Sequence, residues 1–333
     1  MAGKHIRPTS EDNRGIAMAT NQANKKWQES LFAAFSHEGV LGGMYLGPVM
    51  DAEPKVGAAF NDKYCGFRVL TDSFMDFFGE TIWKQGEYGN TNGWPQDRKY
   101  YVMCLIMYVT MFRSFRASEL LALQGGYPLS SYIILRSVKD QAFALAGAAN
   151  KIANFPTLFG WEGFDGETWT KDQYGRVIKN RKTIEGKIVR HLIGAKSGLS
   201  QASQDALMQW NRMFNFEAHR GLFTMIRASR KVTDSEKFEM VLGPSPDEVL
   251  ETMYTNICTQ VAWMILRLLP YMRRAETPKD AEWDTKWKLL DDSYRMMLDS
   301  LAKMGKKFAP AIIELVDKKF VFGPETYYSE KVA

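Results

Sequence analysis

The sequence predicts an all-α protein, a bundle of about seven to ten helices broken by two long Gly/Pro-rich loops. Three observations carry this. Apolar residues recur at three- and four-residue spacing along most of the chain, as in Leu207, Trp210 and Phe214. Helix stop and start signals bracket these stretches, with Gly125-Gly126 closing one helix and Pro128 in the opening turn of the next. Strand signals are nearly absent, with no β-branched alternating run and no Asn-Gly hairpin between such runs. No repeat of fixed period is present, which argues against a helical solenoid.

In chain order, Met1–Thr20 reads as a flexible arm. Residues 21–96 read as N-terminal helices and a loop, 97–320 as the helical core, and 321–333 as a tail. Trp27, Leu31 and Phe35 mark a first helix near Asn21–Ser36. His37–Phe60 holds five glycines or prolines before Asp51 and two after it, so a long loop is expected there, a lid or an interface segment. Asp62–Lys84 is helical on Phe67, Leu70, Phe74, Phe77 and Phe78, and Gly86–Pro95 is expected to end it. Asp97–Gln124 follows, then a helix from Pro128 to about Asn150. Phe155–Trp169 (FPTLFGWEGFDGETW) reads as the second loop, and Lys171–Ile193 as a basic helix. Leu199–Gly221 is a helix with two faces. Ser245-Pro246-Asp247-Glu248 predicts an N-cap serine with proline behind it, opening a helix that stops at Pro270. Thr277-Pro278-Lys279-Asp280 opens another, on Trp283, Trp287, Leu290, Tyr294, Met297 and Leu301. Pro310 starts a last short helix through Phe320.

The bulk numbers bound the function. A chain of 333 residues buries a sizeable core. Net charge is +5, from 43 basic and 38 acidic residues, which permits an anionic partner without demanding one. The 18 methionines read as core filling. Cys65, Cys104 and Cys258 lie far apart with no CxxC pair, so reduced thiols, acting as small core residues in a cytoplasmic protein, are expected. The opening MAGKHIRPTSEDNRG lacks the apolar core of a signal peptide. The longest apolar run, Tyr101–Phe112, is too short to span a bilayer, so no membrane association is expected. P-loop, GxGxxG, HExxH and GxSxG motifs are all missing. The four histidines include no pair at i, i+3 or i+4, so neither a metal nor a cofactor is expected.

Two helices carry the candidates. In Tyr127–Asn150 most positions are apolar all round, which predicts a central helix. Arg136 and Asp140 interrupt it four residues apart, either as a structural ion pair or as the polar part of a pocket. In Leu199–Gly221, Arg212, Asn215 and His219 share the face turned away from the Leu207, Trp210 and Phe214 stripe. A lone histidine near a helix end also serves as a carbonyl cap or a surface residue. The basic helix adds Lys179, Arg181, Lys182, Lys187 and Arg190, a solvated face or a nucleic-acid track.

From Asp97 to Gly221 the element order resembles HEPN-like all-α proteins, including helical families tied to phage abortive infection. A helix ending in Gly125-Gly126-Tyr127 precedes one carrying ILRSVKD, similar to a small-residue turn, then Leu-Arg-Ser, then an acid. Arg212 and His219 follow with six residues between them. The resemblance implies a four-helix core, a homodimer and, in some members, metal-independent RNA cleavage at a dimer cleft. Carried over by position, Arg212 would stabilise charge developing on a phosphate. His219 would be general base or acid, and Asn215 would orient the phosphate. Asn211 before the arginine, and the wide gap to the histidine, depart from the family pattern.

Three readings therefore compete. The first is a HEPN-like endoribonuclease or RNA-binding effector in phage defence, which needs Arg212, His219 and the basic helix on one concave surface. The second is a non-catalytic helical interaction protein. The third is a small-ligand binder with a deep pocket at Arg136 and Asp140 and no basic rim.

Overall fold

Residues 248–272 (EVLETMYTNICTQVAWMILRLLPYM) are mostly apolar, with Arg267 the one charge after Glu251, and a helix so apolar has to lie largely inside. The computed structural model bears this out. It describes residues 46–93, 98–153, 171–218, 230–232, 238–240, 244, 247–273 and 280–322. The chain divides into two compact units, Met1–Asp51 and Ala52–Ala333. Of the first, only the start of one helix is described.

Among the described residues there are nine helices: α1 (Leu46–Lys63), α2 (Cys65–Asn92), α3 (Arg98–Leu123), α4 (Pro128–Ala149), α5 (Lys171–Leu192), α6 (Gln201–Ala218), α7 (Glu248–Met272), α8 (Ala281–Lys303) and α9 (Ala309–Lys319). The fold class is all-α, a multi-helix bundle. Between α6 and α7 lies one departure from the sequence reading, a small antiparallel pair of β1 (Arg230–Val232) and β2 (Phe238–Met240), with Lys231 opposite Glu239. Three-residue strands are too short to show a period of two, so no pattern announced them.

Within the second unit α7 is the axis, with 18 of its 25 residues buried. It packs against α2, α3, α4, α8 and α9. Its cap is Asp247, not the expected Ser245, and the Asp247 carboxylate accepts from the amides of Val249 and Leu250 at 2.9 and 3.0 Å. The helix also continues two residues past Pro270. Proline has no N–H to give the carbonyl four residues back. The Leu266 carbonyl, so released, accepts from the Trp287 indole at 3.0 Å, which removes the reason to stop.

Among the described residues, the α3–α4 hairpin is the most extensive helix pairing. Gly126, at φ 70°, makes the turn, and the Tyr127 amide bonds back to the Leu121 carbonyl. Pro128 stands in the first turn of α4, as its sequence position predicts. α4 in turn packs on α7, α5 and α6. Thirteen of its 22 residues are buried, so the expected central helix is shared between α4 and α7.

Two boundaries differ from expectation. The expected loop over 37–60 is helical from Leu46 onward. Pro48 sits in the first turn, where no amide partner is needed. Gly57 serves packing, because a Cβ there would press into the backbone of Gln124. Likewise α2 runs through Gly86 and Gly89 to Asn92, ending only at Gly93 with φ 82°. Gln85, in that extension, accepts from the Tyr101 hydroxyl at 3.0 Å, and such tertiary contacts outweigh the roughly 1 kcal/mol that each helical glycine costs. The first expected helix, at 21–36, and the second loop, at 155–169, lie outside the described residues.

Candidate functional site

α4 turns one buried stripe, Leu135, Val138, Ala142, Leu145 and Ala146, toward its neighbours. Lys139 stands on that stripe, only 1% exposed. Its ammonium donates to Asn211 Oδ1 of α6 at 2.7 Å and pairs with Asp140 Oδ1 at 2.8 Å. The rings of Phe143, Trp210 and Phe214 surround it at 5.2 to 5.9 Å from their centroids. Isolated burial of an ammonium costs several kcal/mol, and these contacts offset that cost. Burial still pushes Lys139 below the ordinary lysine value of 10.5, against the opposing pull of Asp140.

One turn earlier Arg136 repeats the arrangement nearer the surface. Its Nε donates to Asn215 Oδ1 at 3.1 Å and lies 3.7 Å from Asp140 Oδ2. Asp140 thus receives a cation on each oxygen.

These polar groups, Lys139 apart, border a cleft of about 270 Å³ between α4, α5 and α6. Arg136, Asp140, Asn211 and Asn215 supply polar walls, and Phe143, Ala144, Ile188 and Val189 apolar ones. Lys182 and Glu185 of α5 stand at the rim, which is therefore not free of basic charge as the pocket reading expected. One glycine fixes the approach of α4 and α5, and a second lies at the cleft. Gly147 lets Ile188 approach α4, because a Cβ there would lie 2.7 Å from the Ile188 side chain. Gly186 leaves the cleft open, since a Cβ there would meet nothing within 4 Å.

Of the residues singled out in sequence, Arg136, Asp140, Asn215 and Lys182 come together at this cleft. Arg212 is exposed on α6 and is not part of the lining. His219 lies outside the described residues. Lys179, Lys187 and Arg190 are exposed along α5, and the Arg190 Nε donates to the Gly186 carbonyl of its own helix. Arg181 lies in α5, with its side chain outside the described residues. Lys139 and Asn211 are the residues that sequence reasoning missed. The signal was there for Lys139, which falls four residues after Leu135 and four before Phe143, on the apolar stripe.

Cys104 and Cys258 are buried in the core, whereas Cys65, also expected there, is exposed at the start of α2. Among the described residues no group of three His, Cys, Asp or Glu side chains could hold a metal ion. Among them, too, no helix is long and apolar enough to cross a membrane. The chain matches no family model, no curated protein and no solved structure.

Proposed function

We propose that the protein binds a small ligand in the cleft between α4, α5 and α6. The observation that carries this is convergence. Three helices bring Arg136, Lys182, the Asp140 carboxylate and two amides to one concave surface with an apolar wall, and Lys139 is buried behind it. Such a mixture of apolar wall and few oriented polar groups is what small-molecule sites use. The buried network around Lys139 holds Asp140 and Asn211 in fixed positions before any ligand arrives.

The test uses N-phenylnaphthylamine, a neutral probe that fluoresces in apolar surroundings. Wild type is expected to enhance its fluorescence saturably. Gly186→Phe, which adds a ring where the backbone meets only open space, is expected to abolish the enhancement while leaving the helical circular dichroism unchanged. Equal binding by both proteins would overturn the cleft assignment.

A HEPN-like RNA effector is the second reading. Lys182 of the basic helix and Asn215 stand at the same cleft, and this favours it. In that reading Arg212, exposed on α6, acts on RNA together with His219, in a homodimer, in phage defence. Retention of labelled RNA by wild type in EDTA, lost in Lys182→Glu, would move the assignment to this reading.

A further inference from the structure

We infer that the cleft seats an oxyanion, a carboxylate or a phosphate ester, on two amide NH2 groups of α6, with the apolar body of the same small molecule against Phe143 and Ile188. This rests on the ligand-binding reading above.

Lysine and arginine side chains only donate hydrogen bonds. Asn211 and Asn215 must therefore turn their Oδ1 atoms to Lys139 and Arg136, at 2.7 and 3.1 Å. Each amide is then obliged to turn its Nδ2 group the other way. Neither Nδ2 has a protein partner among the described residues, although Asn211 is only 8% exposed. Each Nδ2 is thus a donor left open at the cleft, and a ligand oxygen supplies its acceptor. Hydrogen bonds arranged in series polarise one another, so a cation on Oδ1 makes the opposite N–H a stronger donor. The two asparagines lie four residues apart, about 6 Å along α6, close enough for one anion to engage both.

The surrounding charge agrees. Among the described residues, Arg136 and Lys182 at the cleft and Lys139 behind it stand against Asp140 and Glu185, an excess of one positive charge. Both Asp140 oxygens already meet cations, which leaves that carboxylate poorly disposed to hold a cationic ligand.

The experiment compares N-phenylnaphthylamine with its sulfonated counterpart, anilinonaphthalene sulfonate, which has the same rings and adds an oxyanion. Wild type is expected to bind the sulfonate about tenfold tighter, the effect of one charge-assisted hydrogen bond. Asn215→Asp keeps an acceptor for Arg136, so the fold is retained, but replaces the donor with a negative charge. It is expected to bring the affinity for the sulfonate down to that for the neutral probe or below, with the helical circular dichroism unchanged. Asn211→Asp, which gives Lys139 a carboxylate partner, is expected to do the same. Phenyl phosphate and benzoate then compete against the sulfonate. Displacement by either supports the proposal, and the stronger competitor identifies the anion. Equal displacement by neutral benzyl alcohol overturns it. So does binding of both probes without a sulfonate preference, which leaves the ligand-binding reading standing. If neither probe responds to Gly186→Phe, the reading beneath the proposal fails instead.

Discussion

Lys139 is the residue whose chemistry depends most on its surroundings. In the unfolded chain it is an ordinary solvated lysine. In the fold it is enclosed by three rings, one amide and one carboxylate. Its folded pKa is depressed, with burial as the main cause. The sign of the linkage follows. Well below the folded value both states carry the proton, and the folded state bears the full penalty of the buried charge. As pH rises from the folded value toward 10.5, the folded protein sheds a proton that the unfolded chain keeps. Stability from this group therefore rises with pH over that window. Urea unfolding of wild type and Lys139→Met, run from neutral pH to 10.5, is expected to show wild type gaining on the variant across the window. A constant difference would mean that Lys139 titrates as it does in water. The comparison with Lys139→Met is needed because Lys63, Lys84 and Lys286 are shifted upward by their carboxylate partners and act in the opposite sense.

At the scale of single elements, the glycines and prolines decide how closely helices approach. The loop expected over 37–60 rested on breaker density alone, and from Leu46 those breakers lie in a helix. Gly57 is the instructive case. Its hydrogen faces the Gln124 backbone at the end of α3, and a methyl group there would overlap a carbonyl that cannot rotate aside. Gly57→Ala is expected to destabilise by about 1–3 kcal/mol through overpacking. Gly86, also inside a helix, meets nothing within 4 Å. Gly86→Ala is therefore expected to stabilise by about 0.5–1 kcal/mol, the helix-propensity gain. Equilibrium urea melts of the two variants should move in opposite directions. Movement in the same direction would contradict the assigned packing of Gly57. The same logic explains Pro270, whose cost to α7 is met by an indole from α8 and not by anything within its own helix.

At the scale of the whole second unit, α7 joins nearly everything. It contacts α2, α3, α4, α8 and α9, and Trp210 of α6 reaches it through a 2.8 Å hydrogen bond to Gln260. Tyr108 of α3 donates to the Leu268 carbonyl at 2.6 Å. Leu266 is fully buried in the C-terminal half of this helix. Leu266→Ala is expected to cost about 2–5 kcal/mol, as cavity-forming core substitutions do. Because the neighbouring helices share that core, amide exchange should speed up together in α2, α4, α7 and α8. Faster exchange confined to α7 would show that the helices open independently.

Most of the helices and their buried faces were legible in the helical period of the apolar residues. Leu207, Trp210 and Phe214 are all fully buried, and so are Phe74, Phe78 and Tyr294 on their predicted stripes. A helical period is a local property, and the hydrophobic effect acts on it in any fold that offers a core. Arg136 and Asp140 were legible as candidates for the same reason, since charge within an apolar helix stands out. Only the tertiary structure decided what those charges meet. Asn211 and Asn215 come from a helix more than 70 residues away in sequence, and Lys182 from a third. Lys139 looked like one more lysine until three rings closed around it. Which side chains share a cleft depends on helix approach and rotation, and those are set by contacts between distant residues that no local spacing encodes.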